Sequence, residues 1–107
     1  MKKNSSNSVL NIKVKQEDKT STLVLEGRLD TLTAPELEEK VEDIIDSTEK
    51  LIFDLEQLEY ISSAGLRVLL GAVQEMEDKG EMIIRHPSKS VREVFDLTGF
   101  SRLFTIE

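Results

Sequence analysis

The chain has 107 residues and no cysteine, and its 14 Lys+Arg against 21 Asp+Glu leave a formal net charge of −7. That length suits one domain around one core, and the lack of thiols excludes disulfides, thiolate metal sites and thiol redox chemistry. The acidic balance has the wrong sign for tracking nucleic acid or an anionic lipid surface, so no direct nucleic-acid binding is expected and the partner should present a basic or mixed surface.

Residues 1–8 read as a flexible polar leader and residues 9–107 as the folded domain. Lys2 and Lys3 resemble the charged start of a signal peptide, but the alternating stretch that follows is not an apolar block, so no export signal is read and a cytoplasmic location is expected. No apolar run approaches the roughly 20 residues that span a bilayer, so membrane insertion is not expected either.

Leu10, Ile12 and Val14 alternate with Asn11, Lys13 and Lys15, the period of a half-buried strand. Asp18 and Lys19 make a turn, and residues 21–27 return as the second arm of a hairpin. A helix start follows, with Thr33 as N-cap, Pro35 in the first turn and Glu36 completing a capping box. Leu37, Val41, Ile44 and Ile45 then recur at helical spacing as far as Ser47. Residues 50–55 are nearly continuous apolar, as in a central strand covered on both faces, and a short loop leads on to Ser62 and Ser63.

The helix beginning at those serines places Leu66, Leu69, Leu70, Val73 and Met76 on one stripe and stops near Gly80. Residues 81–85 form another strand, ended by His86 and Pro87. A last helix over 90–98 should bury Val91, Val94 and Phe95, and residues 104–106 add a short terminal strand. The order β-β-α-β-α-β-α-β predicts an α/β fold. Its mixed four- to five-stranded sheet has helices packed against it, parallel strands joined by right-handed crossovers, and the opening hairpin as antiparallel edge.

Little in this inventory supports catalysis. His86 is the sole histidine, with no second histidine or thiol to join it, and no metal is expected. No Gly-x-Ser-x-Gly turn surrounds Ser62 or Ser63, and the glycines form no Walker or dinucleotide loop. The carboxylates Glu38, Glu39, Glu42 and Asp43 belong to a solvated helix face. Asp30 and Asp54 end or follow strands, where ligands of parallel sheets gather, and topology would bring them near the serine loop.

Two readings of the serines compete. A serine at a helix start accepts a backbone N–H and contributes about 0.5–2 kcal/mol with no further role. The same place tolerates phosphate, because unpaired N–H groups and the positive end of the helix dipole lie there. A phosphoryl group would add roughly −1.5 to −2 charge without disturbing the fold, and would repel a partner that approaches with carboxylates.

Gly27-Arg28-Leu29-Asp30, the run Ile61-Ser62-Ser63-Ala64-Gly65-Leu66-Arg67-Val68-Leu69-Leu70 and the tail from Val91 to Phe100 together resemble the bacterial anti-sigma factor antagonists of the STAS domain family. The resemblance covers about residues 9–107 and implies partner switching. An unphosphorylated antagonist binds an anti-sigma factor that is also a GHKL-type serine kinase, freeing a sigma factor. Phosphorylation ends the complex, and a PP2C-type phosphatase reverses it. Aligned with the family pattern Asp-Ser-(Ser/Thr)-Gly-Leu, the acceptor falls on Ser63, Ser62 takes the aspartate position and becomes the second choice, and Ala64 takes the place of the second hydroxyl. The implied docking surface comprises Asp30, Tyr60, Ile61, Ser62, Ser63 and Arg67, with no enzymatic activity and no cofactor. The further C-terminal helix of many relatives is not expected here. Two alternatives stand beside this reading: a STAS scaffold or subunit of another regulatory or transport assembly, and a weak nucleotide-binding module built from Asp30, Asp54 and the helix start.

Overall fold

A computed structural model describes residues 9–107; the leader expected at residues 1–8 lies outside the described residues. The strands are β1 (Leu10–Glu17), β2 (Thr20–Leu29), β3 (Lys50–Ile61), β4 (Glu81–Arg85) and β5 (Thr105–Ile106), and the helices are α1 (Ala34–Ile44), α2 (Ser63–Met76) and α3 (Lys89–Thr98). The sheet order is β1-β2-β3-β4-β5, antiparallel for β1 with β2 and parallel for the rest. The fold class is thus the one expected, with five strands.

Alternation holds along β2 up to Leu25, whereas on β1 Leu10 is buried, Ile12 partly covered and Val14 exposed at the sheet edge. Ile12 and Val14 pair with Leu25 and Leu23, and those two leucines are fully buried. Buried side chains of all three helices meet the strands in a single core, among them Leu37 and Val41 from α1, Leu69 and Met76 from α2, and Val91 and Phe95 from α3. Each such side chain contributes roughly 1.5–3 kcal/mol through removal from water. Phe104 packs edge-on against Phe95 at 5.3 Å and against Phe100 at 5.6 Å, seating the end of the described chain on α3.

Three expectations need correction. Residues 56–61 were expected as a loop, yet β3 continues through them to Ile61. Its buried residues Leu55, Leu58 and Ile61 recur every third position, because the pairing slips twice. Val24↔Asp54 is followed by Glu26↔Gln57, and Gly27↔Leu58 by Arg28↔Tyr60, so β3 carries one extra residue at each step. Each bulge restores the inward face at the cost of the period-two signature. On α2 the buried stripe is Leu66, Leu69, Ala72 and Met76; Leu70 and Val73 are only partly covered, lying to either side of that line.

The capping box at Thr33 does not form. Thr33 is buried, and its hydroxyl donates to the Arg28 carbonyl at 2.9 Å and accepts from the Asp30 N–H at 2.9 Å, without capping α1. Asp30 Oδ1 accepts from the N–H groups of Leu32 (3.0 Å) and Thr33 (3.1 Å), so the aspartate orders the turn between β2 and α1.

Candidate functional site

The end of β2 and the end of β3 run side by side, with Leu29 paired to Ile61 and the Ser62 N–H bonded to the Leu29 carbonyl at 2.9 Å. That bond carries the chain directly into α2. Ser62 has extended backbone, its Oγ accepts the Gly65 N–H at 3.4 Å, and its carbonyl accepts the Leu66 N–H at 2.9 Å, so Ser62 is the N-cap. Ser63 is the first residue inside the helix, exposed, with its hydroxyl in no hydrogen bond to any described residue.

Close approach of α2 to the sheet depends on Gly65. A Cβ there would stand 2.6 Å from Leu29 Cγ and 2.9 Å from Ile61 Cγ1, well inside contact distance. Gly27 answers a different need, the close approach of β1 to β2: its φ of 111° lies in the left-handed region, and a side chain would run into the Val9 carbonyl.

Around Ser63 the fold assembles most of the expected surface. Asp30 sits beside Ser62 through the Leu29–Ser62 bond, and Arg67 lies one turn along α2, exposed. Tyr60 is 41% exposed and lies under the Arg28 guanidinium, whose Cζ is 4.3 Å from the ring centroid. Arg28 Nε also reaches Asp30 Oδ2 at 4.0 Å, so one arginine joins the ends of both strands. Ile61 is the exception: it is 3% exposed and faces Gly65, supporting the loop from beneath and offering no side chain to a partner.

Two features escape the sequence reading. Arg28 became part of the site only because the second bulge pairs it with Tyr60. Leu32, 72% exposed on the turn that Asp30 orders, adds an apolar prominence beside the site. An exposed leucine inside a polar turn, between a strand and a helix cap, was the available signal.

Asp54 does not join this site. With β3 extending to Ile61, Asp54 lies mid-strand opposite Val24 and Arg85, while the strand end that leads to Ser62 is at Ile61, paired with Leu29. Its carboxylate instead lies near Glu56 and His86.

A hairpin followed by alternating helices and parallel strands, with a serine-capped helix pressed onto the strand ends through a glycine, defines a class. A STAS domain family model matches residues 11–107, and the chain belongs to that family. Within it the chain is similar to anti-sigma factor antagonists. It is 39% identical over 84 residues, 77% of this chain and 72% of the relative, to the "putative anti-sigma factor antagonist BtrV" of Bordetella bronchiseptica. It is 30% identical over 99 residues, 91% of this chain and 92% of the relative, to the anti-sigma-B factor antagonist of Staphylococcus aureus strain NCTC 8325. Among solved structures, an anti-sigma factor antagonist from Mycobacterium paratuberculosis superposes with a TM-score of 0.86 at 25% identity, covering 95% of this chain and 88% of that one. The antagonist SpoIIAA in its unphosphorylated form gives 0.79 at 25% identity, covering 91% and 88%. No helix among the described residues is long and apolar enough to cross a membrane.

Proposed function

We propose that this protein is a cytoplasmic anti-sigma factor antagonist, a binding module and not an enzyme, switched by phosphorylation of Ser63. The unphosphorylated form binds a GHKL-type anti-sigma factor kinase through the surface of Asp30, Tyr60, Ser62, Ser63 and Arg67, extended by Arg28 and Leu32. That complex releases a sigma factor. Phosphate on Ser63 then vetoes binding, and a PP2C-type phosphatase restores it.

The observation that carries this reading is the division of labour between adjacent serines. Ser62 spends its acceptor on the Gly65 N–H, whereas Ser63 presents its hydroxyl at the first helical position, exposed and unengaged by described residues. A kinase can reach Ser63 without unwinding the helix, and the helix dipole accommodates the added charge. A likeness to an antagonist solved in an unphosphorylated form is in keeping with such chemistry.

The test is intact mass with site mapping after incubation in native-host extract with ATP, for wild type, Ser62→Ala and Ser63→Ala in parallel. One phosphate, lost only in Ser63→Ala, is expected. In pull-downs with the anti-sigma kinase, Ser63→Ala should bind permanently and Ser63→Asp should bind weakly. No phosphate on any form, in an extract that phosphorylates a control antagonist, would sink the switch and leave a constitutive STAS scaffold.

A further inference from the structure

The first bulge of β3 creates a second cluster, set back along the strand from the serines at the start of α2. Asp54 stands just before the extra residue, and its Oδ1 accepts the Glu56 N–H at 3.2 Å, which sets the two carboxylates side by side. His86 comes from the neighbouring strand: β4 pairs Arg85 with Asp54, and His86 follows at a φ of 51° with its N–H on the Glu107 carbonyl at 3.1 Å. One ligand atom from each of Asp54, Glu56 and His86 lies within 4.8 Å of the other two. Among the described residues neither carboxylate forms an ion pair, with His86 or with any lysine or arginine.

We propose that Asp54, Glu56 and His86 form a binding site for a divalent transition-metal ion of the zinc type, independent of the switch at Ser63. An imidazole nitrogen with two carboxylate oxygens is a donor set that zinc accepts, at about 2.0–2.2 Å per ligand. Ligand atoms on one such ion stand roughly 3–4 Å apart, so the observed spread closes by side-chain rotation of Glu56 and His86, both exposed. The histidine discriminates against magnesium and calcium, which favour oxygen alone. A fourth position faces solvent and takes water. Arg85, across from Asp54, is the nearby cation that opposes the ion and limits affinity.

Location gives the site a consequence. The ion would tie the bulged strand β3 to the turn that leads into α3, next to the hydroxyls of Ser88 and Ser90 that hold the Leu58 and Glu59 carbonyls. Binding to the folded state alone raises its apparent stability by mass action.

The experiment is calorimetric titration of the intact protein with zinc chloride, paired with amide NMR spectra. One-to-one binding is expected, with shifts centred on residues 54–57 and 85–87. Asp54→Asn, Glu56→Gln and His86→Ala should each weaken zinc binding about tenfold or more, while their metal-free melting curves match wild type. Excess magnesium chloride should not compete. Absence of binding, shifts confined to other acidic surfaces, or variants that bind zinc as wild type does would each overturn the proposal. Glu56→Gln keeps the test decisive if either of the other variants folds poorly, because Glu56 is exposed and uses only its backbone in the bulge.

Discussion

Two helices of this protein open on serine, and they dock by opposite means. At α2 the Ser62 hydroxyl bonds only the helix's own N–H at Gly65, the next hydroxyl at Ser63 stays outside, and the helix is seated by backbone, through the Ser62 N–H on the Leu29 carbonyl and the close approach at Gly65. At α3 the cap Ser88 likewise accepts the Val91 N–H at 3.4 Å, but it also donates to the Leu58 carbonyl at 2.6 Å. Ser90 donates to the Glu59 carbonyl at 3.0 Å. Those carbonyls belong to the second bulge of β3, where pairing to β2 is interrupted. The α3 serines therefore complete the sheet, and the α2 start keeps one hydroxyl in reserve. A serine next to a helix start is a structural bond or a chemical handle according to what the neighbouring strand leaves unpaired.

The strongest challenge to this contrast is Gly65→Val. Overpacking against Leu29 and Ile61 should cost about 2–3 kcal/mol and lower Tm by roughly 10 °C. A near-neutral result would mean that α2 can lift off the sheet, and that its seat is not the glycine contact. Serine truncations sharpen the comparison next. Ser88→Ala loses a cap and a buried carbonyl's donor, about 2 kcal/mol; Ser62→Ala loses a cap alone, about 1 kcal/mol. Ser63→Ala should stay within about 0.5 kcal/mol of wild type. Urea midpoints at unchanged m-value measure all three. If Ser63→Ala cost as much as Ser88→Ala, the hydroxyl would be structural and the contrast between the helices would fail.

The smallest effect lies at the far end of α3. The Asp96 carboxyl is held below its ordinary value, first by a hydrogen bond from the Ser101 hydroxyl and then by Arg92, whose Nε is 3.4 Å away. A depressed folded value contributes stability that is present above the unfolded carboxylate value of about 3.9 and disappears as pH falls through the folded one. Asp96→Asn should therefore narrow its stability difference from wild type below about pH 4 and hold it constant from pH 5 to 7. Thermal melts across that range check the sign; a difference that grows in acid would contradict it.

Much of the architecture was legible in the chain. Hairpin alternation in β1 and β2, the amphipathic repeats of all three helices and the apolar start of β3 are local patterns, fixed by side-chain period. The serine pair at the start of α2 was legible for the same reason, as was its match to a family motif. What escaped detection shares one cause. Both bulges on β3 exist only in relation to β2, so the strand's last six residues looked like loop, Arg28 and Tyr60 looked unrelated, and Asp54 was assigned to the wrong end of the sheet. Thr33 was misread because its hydroxyl is claimed by the Arg28 carbonyl, a competitor that sequence spacing does not reveal.

By itself, then, the sequence determined most of the elements, their order and the place of the serine pair at the start of α2, because these depend on residues within a few positions of one another. Only the tertiary structure decided which hydroxyl is spent and which is kept. It also decided which carboxylates face a histidine and which aspartate stands beside α2. Those outcomes rest on register between strands, and one extra residue in a pairing re-aims every side chain beyond it.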